Sequence, residues 1–213
     1  MKFRFIKRKG EGLLIFFLGW SLDERPFLPL MEKEHFDVCF IYDYREDKLP
    51  SFPEYPETIV LAWSAGVIFA LSYQEKFNKL TLCGGTGFLR HSKWGIPPKI
   101  YDATLLALKK DGEKALLSFY RNLFWREEDF NFFIKNRPRR PLTEIIEELE
   151  VLKEKSFSGK PKHARILVTE KDRIIPARNQ KNFWNYVGLS FTLKPWEHFP
   201  FYRAKTLSSF CLT

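Results

Sequence analysis

The sequence has few residues of the kinds that hold metals or form disulfides. Its 213 residues include three cysteines and four histidines, and neither set shows the close spacing of a zinc or disulfide motif. The cysteines, Cys39, Cys83 and Cys211, are odd in number and far apart. We therefore expect no metal site, no disulfide framework and a reducing, cytoplasmic location.

Long apolar runs are also lacking. The longest, residues 13–18, is far short of the roughly 20 residues that a membrane helix requires. The first nine residues alternate charged and apolar side chains, without the apolar centre of a signal peptide. The sequence contains no internal repeat of 20–50 residues and no low-complexity segment. We expect a soluble protein that does not associate with membranes.

Positive charge and aromatic rings are abundant. Thirty-five lysines and arginines against 26 aspartates and glutamates give a net charge of +9, and aromatic residues make up 17% of the chain. A basic balance favours acidic partners such as nucleic acid, anionic lipid or an acidic protein. The basic residues are interleaved with acidic ones, and no nucleic-acid-binding motif occurs, so we expect no nucleic-acid partner. The length and the 45% apolar content predict one folded domain.

Short apolar segments recur at the spacing of an α/β domain. They fall at residues 2–7, 13–18, 38–42, 59–63, 80–83, 166–169 and 191–193. Most are apolar on both faces, as strands of a parallel sheet covered on both sides must be. Between residues 95 and 159 four helical patterns replace them, at residues 101–110, 113–125, 128–135 and 142–155. We predict an α/β fold, a mostly parallel doubly wound sheet, with a core at residues 1–100 and 156–213 and a helical cap inserted at residues 101–155.

One predicted strand runs directly into a serine. The segment Ala62-Trp63-Ser64-Ala65-Gly66 ends an apolar strand and begins an apolar helix, which is typical of the nucleophile elbow of α/β-hydrolases. The tight turn requires small residues two before and two after the serine, and Ala62 and Gly66 are small. A serine at a helix start is also a common N-cap, so the motif by itself leaves both interpretations open.

The two partners of a nucleophilic serine follow in the chain order of this fold, an acid and then a histidine, each after a later strand. Asp172 comes shortly after one predicted strand, and His198 comes shortly after the next. Taken singly, Asp172 fits a turn residue and His198 fits a packed side chain. Their order predicts a triad of Ser64, His198 and Asp172. The other carboxylates available as the acid are Asp43 and Asp129.

Acyl transfer by a serine also needs N–H donors for the developing oxyanion. In this fold one is the backbone N–H after the nucleophile, which is that of Ala65 here. The second comes from the loop after an early strand, where Gly19 is followed by Trp20. The Trp20 N–H is the candidate second donor, and an ordinary strand-ending turn is the alternative interpretation of that loop.

Several segments together resemble one family. In chain order they are FLGWSLDE, DYRED, LAWSAGV, CGGTGF, GIPPKIYDATL, VTEKDRIIPARNQKNFW and HFPF. They resemble the BioG-type pimeloyl-[acyl-carrier protein] methyl ester esterases, small α/β-hydrolases of biotin synthesis. The resemblance implies cofactor-free hydrolysis of pimeloyl-[acyl-carrier protein] methyl ester, with Ser64, Asp172 and His198 as triad and Trp20 and Ala65 at the oxyanion hole. A general short-chain carboxylesterase or an acyl-thioesterase of this fold is the alternative.

The predicted cap has a segment, residues 118–140, that combines seven aromatic with six basic residues. Apolar rings can line a tunnel for a seven-carbon acyl chain, and basic side chains can meet an acidic carrier protein. The expected substrate-binding residues are Trp20, Phe119, Phe124, Phe132 and Phe133. The expected carrier-binding residues are Arg121, Arg126, Arg137, Arg139 and Arg140. Alternatively, the rings only pack the cap onto the core, and the arginines are only a solvated surface. We expect the protein to be a monomer.

Overall fold

Seven strands form one sheet in the computed structural model, which describes residues 1–8, 10, 12–157 and 159–212. They are β1 Lys2–Ile6, β2 Gly12–Phe17, β3 Asp37–Tyr42, β4 Glu57–Trp63, β5 Leu80–Cys83, β6 Arg165–Thr169 and β7 Thr192–Lys194. Their order is β1-β3-β2-β4-β5-β6-β7. The β1–β3 pair is antiparallel and the other pairs are parallel, so the predicted mostly parallel sheet is confirmed.

The centre of the sheet is covered on both faces. Consecutive side chains of β2 from Leu13 to Phe17 are each at most 1% exposed, although they point alternately to opposite faces. The register pairs Phe17 with Ala62 and Trp63 with Cys83, so β2, β4 and β5 end at one edge of the sheet. Loops at the carboxyl ends of parallel strands are where α/β proteins place their functional groups.

Seven α-helices occur among the described residues. They are α1 Gly66–Ser72, α2 Pro98–Asp111, α3 Glu113–Asn122, α4 Glu127–Lys135, α5 Leu142–Leu152, α6 Ala177–Tyr186 and α7 Ser209–Leu212. Three 3₁₀ helices accompany them, at Arg25–Lys33, Gln74–Lys76 and Phe201–Arg203. Helices α1, α6 and α7 contact the strands of the sheet.

Helices α2 to α5 all lie between β5 and β6 in the chain, where four helical patterns are predicted. The first begins at Pro98, slightly before the predicted boundary, because a proline at a first helical position has the φ that a helix start needs. Gly112, with φ +54°, separates α2 from α3. The interpretation of residues 101–155 as a cap distinct from a core stays a prediction.

Helix α1 begins in close contact with the end of β2. A Cβ atom on Gly66 would lie 2.4 Å from the Phe17 carbonyl oxygen and 2.6 Å from that of Leu18. Only a glycine permits this approach, and the approach holds the turn at Ser64 against the edge of the sheet.

We expect Gly66→Ala to lower the free energy of unfolding by about 3 kcal/mol, because the new methyl group must displace main-chain atoms. Denaturant unfolding followed by circular dichroism measures the loss. Gly188→Ala is the control, since among the described residues other than its two chain neighbours no atom lies within 4 Å of its Cβ position. An alanine at its φ of +74° should lower the free energy of unfolding by about 1–2 kcal/mol through backbone strain alone. Equal losses in the two variants would contradict the close approach.

Candidate active site

Ser64 has a left-handed backbone conformation that residues other than glycine rarely adopt. Its φ is +56°, and its N–H donates to the Cys83 carbonyl oxygen at 3.1 Å. The neighbouring loop packs against it closely, since a Cβ atom on Gly85 would lie 2.5 Å from the Ser64 carbonyl oxygen. The surrounding chain therefore fixes a strained turn between β4 and α1, and the strain sits at a residue with a reactive side chain.

His198 lies directly beside Ser64, although 134 positions separate the two in the chain. The His198 Nε2 atom is 2.8 Å from Ser64 Oγ, and the imidazole is 1% exposed. The Trp63 indole N–H donates to the His198 carbonyl oxygen at 2.6 Å. The residue before the serine thus anchors the main chain of the loop that carries the histidine.

Asp172 completes a line of three side chains. Its Oδ2 atom is 2.7 Å from His198 Nδ1, and its side chain is fully buried. Its Oδ1 atom accepts the backbone N–H groups of Ile174 and Ile175, at 2.8 and 2.9 Å. These bonds fix the direction in which the carboxylate presents Oδ2 to the imidazole.

Two further side chains hold Asp172 and were not anticipated from the sequence. The Thr169 hydroxyl donates to Asp172 Oδ2 at 2.7 Å, and the Gln180 side-chain amide donates to the same oxygen at 3.0 Å. Gln180 also donates to Thr169 Oγ1 at 3.0 Å and is fully buried. A polar residue that ends the strand before the acid is the one signal that could have indicated Thr169.

The two alternative acids pair elsewhere. Asp43 Oδ2 is 2.8 Å from Arg45 Nη2, and Asp129 Oδ2 is 3.8 Å from Arg126 Nε. Of the three carboxylates considered from the sequence, Asp172 is the one that the structure places at His198.

The serine and histidine open onto a cavity of about 620 Å³. More than half of its lining comes from α2 and α3, which contribute the small side chains of Ala103, Ala107 and Ala115. A cavity of this size, with small and apolar walls and a few polar groups, is typical of sites for small organic substrates.

Two of the expected substrate-binding rings line this cavity, those of Trp20 and Phe119. Their centroids are 4.6 Å apart in an edge-to-face arrangement. Within the described ranges, neither the backbone N–H of Trp20 nor that of Ala65 donates to a main-chain carbonyl. Both groups are therefore available to another acceptor, and their place in an oxyanion hole stays a prediction.

The other three expected rings do not line the cavity, and their assignment is corrected. Phe124 and Phe133 are fully buried and pack against Phe199, at centroid distances of 5.1 and 5.5 Å. Phe132 is 42% exposed and packs edge-on against Tyr202 at 4.9 Å. Phe199 and Tyr202 follow His198, so these rings pack the inserted helices onto the chain that carries the histidine.

One expected carrier-binding arginine is also corrected. The Arg140 side chain is 4% exposed, with Nη1 2.6 Å from Glu148 Oε2 and Nη2 3.3 Å from Asp43 Oδ1. A buried guanidinium paired with two carboxylates is not available to a partner protein. The sequence spacing groups Arg140 with Arg137 and Arg139, but the chain turns it inward.

The remaining four arginines lie nearer the surface. Arg121, Arg126 and Arg137 pair with Glu127, Glu128 and Glu113, and the backbone N–H of Arg139 donates to Asp23 Oδ2 at 2.9 Å. None of the four lines the cavity. Their contact with a carrier protein stays a prediction.

The described part of the chain contains no group of three or more His, Cys, Asp or Glu side chains that could hold a metal ion. Among the same residues, no helix is long and apolar enough to cross a membrane. The cysteines are not activated thiols, because burial raises the pKa of Cys39 to about 12 and that of Cys211 to about 11, and raises that of Cys83.

We expect none of the three thiols to react within minutes with dithionitrobenzoate in the native protein, and all three to react after denaturation. The physical reason is that thiols whose pKa is raised this far do not ionise at neutral pH, and Cys39 and Cys83 are in addition buried. The absorbance of the thionitrobenzoate released by each reacting thiol measures this. A cysteine that reacts rapidly in the native protein would contradict the raised pKa values.

Residues 1–206 match the model of the family described as pimeloyl-ACP methyl esterase BioG. The chain belongs to this family. The crystal structure of BioG from Haemophilus influenzae is similar over 99% of this chain and 100% of that one, with 26% identity and a TM-score of 0.81. The family expected from the sequence segments is therefore confirmed.

More distant structures share the fold. A hydrolase from Pseudomonas aeruginosa PA01 is 15% identical, with a TM-score of 0.64 over 99% of this chain and 94% of that one. An esterase from Exiguobacterium antarcticum is 16% identical, with a TM-score of 0.63 over 93% and 86%. The predicted α/β-hydrolase fold is confirmed.

A curated relative carries a different name. Malonyl-[acyl-carrier protein] O-methyltransferase from Bacteroides fragilis (strain 638R) is 32% identical over 182 residues, which are 80% of this chain and 36% of the relative. The chain thus spans about a third of the length of that protein, and the activity in its name belongs to that protein.

Proposed function

We propose that the chain is a serine esterase that removes the methyl group from pimeloyl-[acyl-carrier protein] methyl ester in biotin synthesis. The observation that carries the proposal is the line from Ser64 Oγ to His198 Nε2, 2.8 Å, and from His198 Nδ1 to Asp172 Oδ2, 2.7 Å. This line opens onto a cavity in a member of the BioG family. Membership of the family supports this substrate, and the geometry supports hydrolysis of an ester by a serine.

The arrangement supports a two-step acyl transfer. Ser64 Oγ attacks the ester carbonyl carbon while His198 Nε2 takes the hydroxyl proton, and Asp172 stabilises the imidazolium at Nδ1. The N–H groups of Trp20 and Ala65 bind the oxyanion of the tetrahedral intermediate. When the intermediate collapses, His198 protonates the departing methoxide and methanol leaves. Water then repeats the sequence on the acyl-enzyme and releases the free carboxylate.

The cavity walls suit an unbranched acyl chain. Ala103 and Ala107 are one turn apart on α2, and with Ala115 of α3 they present small side chains to the space beside Ser64. Trp20 and Phe119 add apolar rings. An extended methylene chain can lie along such a surface without steric clashes. Removing its apolar surface from water there is favourable.

We expect Ser64→Ala to lower methanol release from pimeloyl-[acyl-carrier protein] methyl ester about 10⁶-fold, and Asp172→Asn to lower it about 10⁴-fold. The serine supplies the nucleophile, whereas the aspartate only orients and stabilises His198. Enzymatic detection of methanol gives the rate. Ser118→Ala is the matched control, because Ser118 lines the same cavity but does not bond to His198; its rate should stay within a few fold of wild type.

Near-normal methanol release by Ser64→Ala would contradict the mechanism. Release of the carrier thiol in place of methanol would identify an acyl-thioesterase. Equal efficiency on short soluble esters and on the carrier-linked ester would identify a general carboxylesterase.

The cavity has an exposed rim with a net positive charge, on which Lys99, Lys114 and Arg173 outnumber the one acidic residue, Asp111. Arg173 stacks on the half-exposed ring of Trp125, with its guanidinium carbon 3.7 Å from the ring centroid. Among the described residues, neither Lys99 nor Lys114 forms an ion pair with a carboxylate. The acidic carrier protein must stand at the cavity entrance while its acyl chain reaches Ser64, so this rim is our proposed docking surface.

We expect the double variant Lys99→Glu, Lys114→Glu to lower kcat/KM for the carrier-linked ester about tenfold at low salt, because attraction at a solvated rim raises the association rate. Hydrolysis of p-nitrophenyl acetate should hardly change. In about 1 M salt, where the Debye length is about 3 Å, the loss should shrink. Steady-state kinetics on both substrates measure these effects.

The matched control is Lys48→Glu, Lys205→Glu, which changes the net charge equally at exposed positions outside the cavity. A loss in the control as large as in the rim variant would show that total charge, and not the rim, attracts the carrier. Loss on both substrates in the rim variant would show damage to the cavity.

A further inference from the structure

The loop at residues 19–23, which carries the proposed Trp20 donor, is bonded to the inserted helices. The Trp20 indole N–H donates to the Ile145 carbonyl oxygen at 2.9 Å, and the Ser21 backbone N–H donates to Glu148 Oε2 at 3.3 Å. Asp23 Oδ2 accepts the Arg139 backbone N–H at 2.9 Å. Ile145 and Glu148 are three residues apart on α5, so one face of this helix holds the loop.

Ser21 itself has a left-handed backbone, with φ +71°. For a residue other than glycine this conformation costs about 1–2 kcal/mol and persists only where the surroundings impose it. The Glu148 carboxylate fixes the peptide plane that joins Trp20 to Ser21. The Trp20 indole is anchored as well, on Ile145, so the side chain and the following peptide plane of Trp20 are both held and together restrict the plane that bears its backbone N–H.

Glu148 is a fully buried carboxylate, which is unusual for a residue whose only role is packing. It is 0% exposed, and its second oxygen, Oε1, accepts the Tyr44 backbone N–H at 2.9 Å. Burial raises the pKa of Glu148, and the charge of Arg140 opposes the rise. A buried ion pair often adds no more stability than apolar side chains of similar size. One carboxylate here instead joins the loops that follow β2 and β3 to α5.

We propose that Glu148 is a positioning residue for the oxyanion hole: by accepting the Ser21 N–H, it sets the turn that aims the Trp20 N–H at the oxyanion. This inference rests on the proposed function. The charge of Glu148 does not act on the substrate. Its effect passes through the main chain of Ser21 and Trp20.

The decisive variant is Glu148→Gln, which keeps the side-chain volume but converts one acceptor oxygen into an NH₂ group. Oε2 accepts both the Ser21 N–H and Arg140, so the amide oxygen stays there and the NH₂ group faces the Tyr44 N–H. The Ser21 N–H is then left with a neutral acceptor shared with Arg140, which holds it more weakly than a carboxylate does. We expect kcat for p-nitrophenyl acetate to fall about tenfold to a hundredfold, since loss of an oxyanion donor costs about 10²–10³-fold and displacement costs less. KM should stay within about twofold, because Glu148 does not line the cavity.

The rate is expressed per active site, counted by titration with a fluorophosphonate. A purely structural contribution would reduce the number of titratable sites and the melting temperature but leave kcat per site unchanged, and that result overturns the inference. Glu147→Gln is the matched control: its side chain is 59% exposed and pairs with Arg45 at the surface. It should leave kcat and KM unchanged.

If Glu148→Gln does not fold, the double variant Glu148→Met, Arg140→Met replaces the ion pair by apolar side chains, a change that often preserves stability. A folded double variant with wild-type kcat per site overturns the inference, and the same loss of kcat supports it. The proposed function fails separately: an active Ser64→Ala variant would refute it, whereas an inactive Ser64→Ala beside a fully active Glu148→Gln refutes the positioning alone.

Discussion

The left-handed turn at Ser64 is the constraint on which the rest of the site depends. It requires that α1 start against β2, which Gly66 permits, and that the loop after β5 pass close to Ser64, which Gly85 permits. The Ser64 N–H is held by the Cys83 carbonyl at the end of β5. Because two neighbouring strands and two glycines fix the turn, the strain is offset by the central packing of the sheet.

The sheet and the turn at Ser64 could be predicted because each leaves a local pattern, whereas Asp172 and His198 are predicted from their order after later strands. Buried parallel strands are apolar on both faces, and the small residues around Ser64 mark a tight turn. Helix α6 has no such pattern: its sequence, ARNQKNFWNY, is mostly polar, and four of its residues are nonetheless buried. One of them is Gln180, whose bond to Asp172 depends on the tertiary fold and leaves no signal in its neighbours.

The inserted helices show why composition predicts a region better than it predicts the orientation of a side chain. Seven rings in residues 118–140 indicate an apolar interior. Rings in such an interior can either pack against one another or line a cavity for a ligand. Phe124 and Phe133 pack against Phe199, and Phe119 lines the cavity. Arg140 pairs with Asp43, which lies far away along the chain. Pairings over such distances follow from the fold and not from spacing.

The same inserted segment serves the site through two different sets of residues. Ala103, Ala107 and Ala115 of α2 and α3 shape the space beside Ser64, and none of them bonds to the loop at residues 19–23. Ile145 and Glu148 of α5 hold that loop, and neither lines the cavity. The two sets meet at Trp20, whose ring lines the cavity and packs on Phe119 of α3 while its indole N–H donates to Ile145 of α5. A change of cavity shape at Ala103 or Ala107 of α2 leaves the contacts of the loop at residues 19–23 in place, whereas a change at Phe119 of α3 removes a ring that packs on Trp20.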